Sequence, residues 1–135
     1  MRKRKGIAVD GWCSNNPGPG GYRGVDLETG KTIFSWNTNL TTNNLVEFIA
    51  VIHAMKWIKR NNLKVTIWTD SQTAMSWTRN KNCKTKFDLT KNNELKKRVD
   101  ECMRFITEND YKGLEPLRKW DTKRWGEIPA DFGRK

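Results

Sequence analysis

Apolar and polar positions fall into a regular pattern almost from the start of the chain. Lys5 to Trp12 reads as a strand that ends at the turn-rich run Cys13 to Gly21. Tyr22 to Leu27 and Lys31 to Asn37 read as two more strands, joined by a hairpin turn at Glu28-Thr29-Gly30. The period then changes. Thr41, Thr42 and Asn43 are N-cap residue types for a long helix to about Arg60, in which Leu45, Phe48, Ile49, Ile52 and Met55 keep helical spacing. Val46, Ala50, Val51 and Trp57 add apolar character on other faces, so burial on several sides is expected. Lys64 to Thr69 alternates and is β-branched, a fourth strand ending at Asp70, after which Ser71 can cap a helix through about Arg79. From about Asn92 to Thr107, Leu95, Val99, Cys102, Met103 and Ile106 share one helical face. Glu115 to Trp120 predicts a short fifth strand, and Thr122 to Phe132 a last short helix with Pro129 in its first turn or at a kink. Three strands followed by alternating helix and strand predict an α/β domain with a mixed sheet.

No Ser/Gly linker, low-complexity tract or repeat interrupts this pattern, and 135 residues suit a single domain spanning 1–135. Cys13, Cys83 and Cys102 form no CxxC pair and, with His53 the only histidine, no set with zinc spacing, which fits a reduced, cytoplasmic setting. The charges of Met1 to Lys5 precede no apolar h-region and no run reaches membrane-spanning length, so neither a signal peptide nor a membrane association is expected. The formal net charge of +11 favours a polyanionic partner, nucleic acid first, with plain solubility as the equal competitor. Between Thr78 and Arg98 lie Arg79, Lys81, Lys84, Lys86, Lys91, Lys96, Lys97 and Arg98 against only Asp88 and Glu94, with Trp77 and Phe87 nearby. Cations interleaved with aromatic residues suit a phosphate-and-sugar surface better than a solubility face.

Three acids sit where solubility does not explain them. Asp10 follows Ile7-Ala8-Val9 at the end of the first strand, Asp70 follows Val65 to Thr69 at the end of the fourth, and Glu47 lies between Val46 and Phe48 early in the long helix. Singly, each reads as a strand-end carboxylate facing water, or for Glu47 as a helix-dipole partner. Together, at one edge of an α/β sheet, they would repel and take up protons unless a cation held them. Oxygen-only ligation points to Mg²⁺, with Mn²⁺ as a substitute, rather than zinc. Two such ions about 3.5–4 Å apart suit phosphodiester hydrolysis.

Val9-Asp10-Gly11 followed by Asn16-Pro17-Gly18-Pro19-Gly20-Gly21 resembles the opening signature of type 1 ribonuclease H. Thr42 to Phe48 resembles the second motif of that family and Thr69-Asp70-Ser71-Gln72 the third, in the same order and at similar separations. The resemblance implies a ribonuclease H-like fold, a five-stranded mixed sheet flanked by helices, and an endonuclease that hydrolyses the RNA strand of an RNA–DNA hybrid, leaving 5′-phosphate and 3′-hydroxyl ends. It implies two metal ions, with Asp10 bridging, Glu47 and Asp70 completing one site, and Asp131 the other. The run Lys119 to Lys135 is similar to the C-terminus of a bacterial branch in which a glutamate, here Glu127, stands where the better-known branch has a loop histidine. Its spacing of four from Asp131 would put both on one face of a helix. Asn43, Asn44 and Gln72 match residues that contact 2′-hydroxyls and base edges, and the backbone at Cys13 and Ser14 lines the same path. A DNA-phosphate pocket would draw on Thr42, Asn44, Thr85 and Lys86, with Lys119 and Lys135 as further phosphate contacts.

The sequence departs from the family pattern in places. The basic protrusion is shortened or absent between Trp77 and Asn92, the N-terminal hybrid-binding module has no counterpart, and Trp12 is bulkier than the usual residue, either packing beneath the site or narrowing the groove. His53, mid-helix among apolar residues, reads as a packing residue. A monomer with no obligate protein partner is the default. Two other readings stand beside the nuclease: an inactive basic module that only binds nucleic acid, and a DNA-acting nuclease of the same superfamily.

Overall fold

In the computed structural model, residues 5–109 and 117–130 are described. The elements run β1 (Ile7–Cys13), β2 (Gly18–Asp26), β3 (Thr32–Thr41), α1 (Asn43–Arg60), β4 (Ile67–Thr69), α2 (Gln72–Asn80), a 3₁₀ turn (Leu89–Lys91), α3 (Asn93–Glu108), β5 (Leu117–Lys119) and α4 (Thr122–Trp125). The sheet order is β3-β2-β1-β4-β5, antiparallel across the first three strands and parallel across β1, β4 and β5. This is the mixed five-stranded sheet that the sequence pattern predicts. Short turns suffice for the antiparallel meander, whereas the return from β3 to β4 beside β1 needs a crossover, and α1 supplies it.

Each sheet face has its own core. Ile7, Val9, Tyr22 and Ile67 pack with α1, α2 and α3 on one face. α1 buries eleven of its residues, among them Leu45, Phe48, Ile52 and Met55, which explains why its apolar positions occupy more than one stripe. On the other face Ala8, Val25 and Leu27 meet Trp120, Ile128 and Ala130, with Trp68 and Trp125 packed against them. Trp68, Trp120 and Trp125 meet edge-on with centroids 5.2, 5.7 and 5.8 Å apart. Such contacts each contribute about 0.5–1.5 kcal/mol beyond area burial. They hold the C-terminal segment against the sheet. No helix among the described residues is long and apolar enough to cross a membrane.

Several boundaries differ from the sequence pattern. β2 begins at Gly18, four residues before the predicted strand, because the glycine-rich run is extended and paired, Gly20 with Cys13 on one side and Thr38 on the other. A Cβ on Gly20 would lie 2.6 Å from the carbonyl oxygen of Trp12, so this close pairing requires glycine. The run reads as a turn from composition and is a strand by packing. β3 continues to Thr41, directly before the N-cap of α1, and β4 is shorter than Lys64–Thr69. The last predicted helix is the largest correction: α4 stops at Trp125 instead of reaching Phe132. Gly126 follows at φ 80, where helical hydrogen bonding cannot continue, and Pro129 lacks an amide to resume it. Glu127 therefore lies outside a helix, and the expected helical face shared with Asp131 falls on a residue outside the described ones. The aromatic component of the basic segment is also corrected. Trp77 is buried against Phe48 (centroids 5.8 Å) and forms no part of a solvated surface, whereas Phe87 packs on the core but stays partly exposed among the cations.

Candidate metal centre

Asp10, Glu47 and Asp70 come together at one end of the sheet. Each offers a carboxylate oxygen, and the three atoms lie within 4.8 Å of one another. Register explains two of them. β1 and β4 run parallel with Ile7 beside Ile67 and Ala8 beside Trp68; the same offset carried two residues further brings Asp10 level with Asp70. Thr69 Oγ1 accepts from Ser71 N (3.1 Å) and Ser71 Oγ from Ala74 N (3.0 Å), which fixes the turn that carries Asp70. Glu47 arrives from α1. Its Oε1 accepts the Gly11 amide at 2.7 Å, a buried hydrogen bond between residues 36 apart. Asp10 is fully buried and Glu47 is 5% exposed, with Asp70 half-buried. Three carboxylates so close are a strong trap for a hard divalent cation.

The surroundings favour anions. The N-terminus of α1, capped by Thr42 Oγ1 accepting from Leu45 N (3.3 Å), and that of α2, capped by Ser71, both open near this edge. Asn43 is half-buried and Asn44 and Gln72 are exposed, at the first turns of those two helices. The Asn43 amide donates to Asn16 Oδ1 (2.9 Å), tying the glycine-rich loop to the start of α1. Cys13 and Ser14 are half-buried at the end of β1, where the Cys13 thiol donates to Thr41 O (3.4 Å) and burial pushes its pKa up. Lys119 is exposed at the end of β5 and pairs in register with Thr69, one residue before Asp70.

Other expected residues are not brought to this cluster by any described contact. Thr85 Oγ1 accepts from Phe87 N (3.1 Å) in the loop after α2, and Lys86 beside it is exposed. No hydrogen bond joins either to Thr42 or Asn44 among the described residues. Glu127 is exposed in the bend after α4. Asp131 and Lys135 lie outside the described residues. Trp12 is half-buried at the end of β1.

His53 stands away from the acids. Its ring stacks on Phe34 at 3.9 Å and 8°, and its Nδ1 shares a hydrogen bond with Tyr22 Oη at 2.7 Å. Tyr22 Oη in turn accepts from Arg98 at 3.0 Å, and the Arg98 guanidinium lies 4.3 Å from the Trp36 ring. Burial first, then the charges of Arg98, Lys56 and Arg60, push the His53 pKa down to about 4. That makes it a neutral packing residue. Desolvation likewise pushes the Tyr22 hydroxyl up, the Cys83 thiol up to about 11 and the Cys102 thiol up to about 12.

Gly11, Asn16 and Arg23 were missed by reasoning from the sequence, since each acts through a partner far along the chain. Gly11 and Asn16 carried a signal as members of the opening motif, without a role, and for Gly11 the reason is spatial. A Cβ there would stand 2.8 Å from Val46 Cγ2 and 3.1 Å from Glu47 N, so its absence lets α1 approach β1.

A mixed sheet with one acid within β1 and another just past β4, joined by a glutamate from the crossover helix, makes a candidate divalent-metal site on a ribonuclease H-like fold. The family model described as RNase H matches residues 2–109, and the chain belongs to the RNase H family. It is 36% identical over 99 residues to a ribonuclease H of Neorickettsia sennetsu, covering 66% of each chain. It is 44% identical over 73 residues to one of Citrobacter koseri, covering 53% of this chain and 46% of that protein. The matched part thus spans between about half and two thirds of these relatives. Among solved structures, LC11-RNase H1, isolated from compost by a metagenomic approach, shares the fold at TM-score 0.52 and 22% identity, covering 88% of this chain and 84% of that one. The family match ends before the segment that carries Glu127 and Asp131.

Proposed function

We propose that this protein hydrolyses the RNA strand of RNA–DNA hybrids, leaving 5′-phosphate and 3′-hydroxyl ends, with Mg²⁺ as its metal and Mn²⁺ as a substitute. The observation that carries this reading is the Asp10–Glu47–Asp70 cluster, three oxygens within 4.8 Å of one another in a chain of net charge +11. These residues fit divalent metal by chemistry and spacing: all donors are hard oxygens, and two of the three acids are buried. Asp10, Glu47 and Asp70 would hold the metal, with Asp131 as the fourth ligand. Bound there, divalent metal supplies activation of water and stabilisation of the leaving oxygen.

The chain's own residues do the rest. Gly11 fixes the Glu47 carboxylate by donating its amide, so the helix-borne ligand is held before substrate arrives. Asn43, Asn44 and Gln72, at the first turns of two helices, supply donors and acceptors suited to 2′-hydroxyls, the groups that distinguish RNA from DNA. Lys119, at the same sheet end, and Lys135 attract phosphate. The path past Cys13 and Ser14 and the pocket of Thr42, Asn44, Thr85 and Lys86 belong to the same reading. Glu127 supports turnover without holding metal.

Matched RNA–DNA, DNA–DNA and RNA–RNA duplexes, incubated with Mg²⁺, Mn²⁺ or EDTA, test the proposal. Metal-dependent cutting confined to the RNA of the hybrid is expected. Asp70→Asn should lower the single-turnover rate by at least about a thousandfold while hybrid binding persists. Cutting of duplex DNA at an equal rate would point to the DNA-acting reading, and tight binding without cleavage to an inactive module.

A further inference from the structure

Arg23 of β2 stands directly opposite Asp10 in the antiparallel register of β1 and β2. Opposed residues of an antiparallel pair project to the same sheet face. For Asp10 that is the face of Ala8, two residues earlier, where the C-terminal segment packs. Arg23 Nε donates to the carbonyl of Ala130 at 2.7 Å, across 107 residues of chain. Ala130 is itself fully buried, and Asp131 is the next residue.

At its start the segment is held by the Trp120 indole N–H, which donates to the Gly126 carbonyl at 3.0 Å; nearer Ala130 the anchors described beside Arg23 are apolar. Ile128 and Ala130 sit in the small cluster with Trp120, Val25 and Leu27, and residues 126–130 belong to no strand or helix. Apolar packing opposes lifting the segment off the sheet but is non-directional, so it sets neither the rotation nor the advance of the chain along the surface. A hydrogen bond from a planar guanidinium to one peptide carbonyl sets both, and a charged donor strengthens it. Its place, one peptide unit before the proposed fourth ligand, is where such control affects metal binding most.

We propose that Arg23 is a positioning residue for the metal centre: it fixes the backbone at Ala130, the residue that precedes the proposed ligand Asp131 in the chain. This rests on the reading of Asp131 as a ligand. Arg23 acts in the manner of groups that orient metal ligands without touching metal, whose loss typically weakens metal affinity about 10–100-fold.

The test compares Arg23→Met, which keeps the stem and removes the donors, with Arg23→Lys, which restores a donor, and with Asp131→Asn. Three measurements are made on the full chain: hydrogen exchange over residues 128–135 without metal, Mn²⁺ affinity by calorimetry, and single-turnover cleavage of hybrid. Arg23→Met should speed exchange in that segment alone, weaken Mn²⁺ binding about tenfold and slow cleavage by a similar factor. Hybrid affinity should be retained, and Arg23→Lys should recover part of each loss. Wild-type exchange and Mn²⁺ affinity in Arg23→Met, beside an inactive Asp131→Asn, would overturn the role of Arg23 alone. Full activity in Asp131→Asn would remove the ligand reading and this inference with it. A general loss of stability, spread through the exchange pattern and unrelieved by lysine, would reduce Arg23 to a structural residue and overturn the proposal.

Discussion

At the scale of single residues, Gly11 has the most demanding position beside the acids. Its amide binds Glu47 Oε1, and its missing side chain leaves room for Val46. Gly11→Ala forces α1 outward by a few tenths of an ångström, because 2.8 Å to Val46 Cγ2 is shorter than a carbon–carbon contact allows. The expected outcome is a loss of at least about tenfold in single-turnover rate with about 1–3 kcal/mol of destabilisation. Denaturant melts and single-turnover assays measure both, and an unchanged rate would show that the Gly11–Glu47 contact is not needed. Asp10, Glu47 and Asp70 were legible as candidates because each carboxylate interrupts or ends an apolar run. The glycine's partner was not legible, since nothing local encodes a neighbour 36 residues away.

At the scale of elements, β2, β3, α1 and α3 are joined where Tyr22, Phe34, His53 and Arg98 meet. His53 is held neutral there, its pKa lowered from 6.5 to about 4 chiefly by burial. The unfolded chain therefore binds a proton that the folded chain refuses, and stability falls as pH drops from 6.5 toward 4. Between pH 6.5 and about 5 isolated carboxylates remain ionised, and the share of the slope due to His53 is the difference between the wild type and a variant without the imidazole. Melting temperature should decline over that window in the wild type and less in His53→Gln, whose amide can still share a hydrogen bond with Tyr22. Equal slopes in the two proteins would contradict this account. Among the elements, α1 and the short β4, α2 and β5 were all legible in the sequence, the strands with wider bounds, and the extent of the last helix was not. The spacing of Leu45, Phe48 and Ile52 predicts α1 to its end, whereas α4 stops at Gly126, where backbone conformation outweighs the pattern beyond it.

At the scale of the whole molecule, net charge and sheet topology act together. Arg79, Lys81, Lys84, Lys86, Lys91, Lys96 and Lys97 are exposed, while Arg98 is committed to Tyr22 and Trp36, so the basic segment is a solvated surface from which Trp77 is withdrawn and Phe87 is only partly exposed. Hybrid binding through it should weaken steeply with salt, each phosphate contact adding about 0.7–0.9 to the log–log slope. Titrating Asp70→Asn with hybrid at several salt concentrations measures that slope, and a flat dependence would rule this surface out. The sequence by itself determined the class of fold, the positive charge and the three acids that could share a cation, because periodicity, composition and motif are local properties of a chain. Only the tertiary structure decided that the glycine-rich run is a strand, that Trp77 is core, and that Arg23 reaches Ala130. Those outcomes depend on what packs across the sheet, where residues more than a hundred positions apart become neighbours.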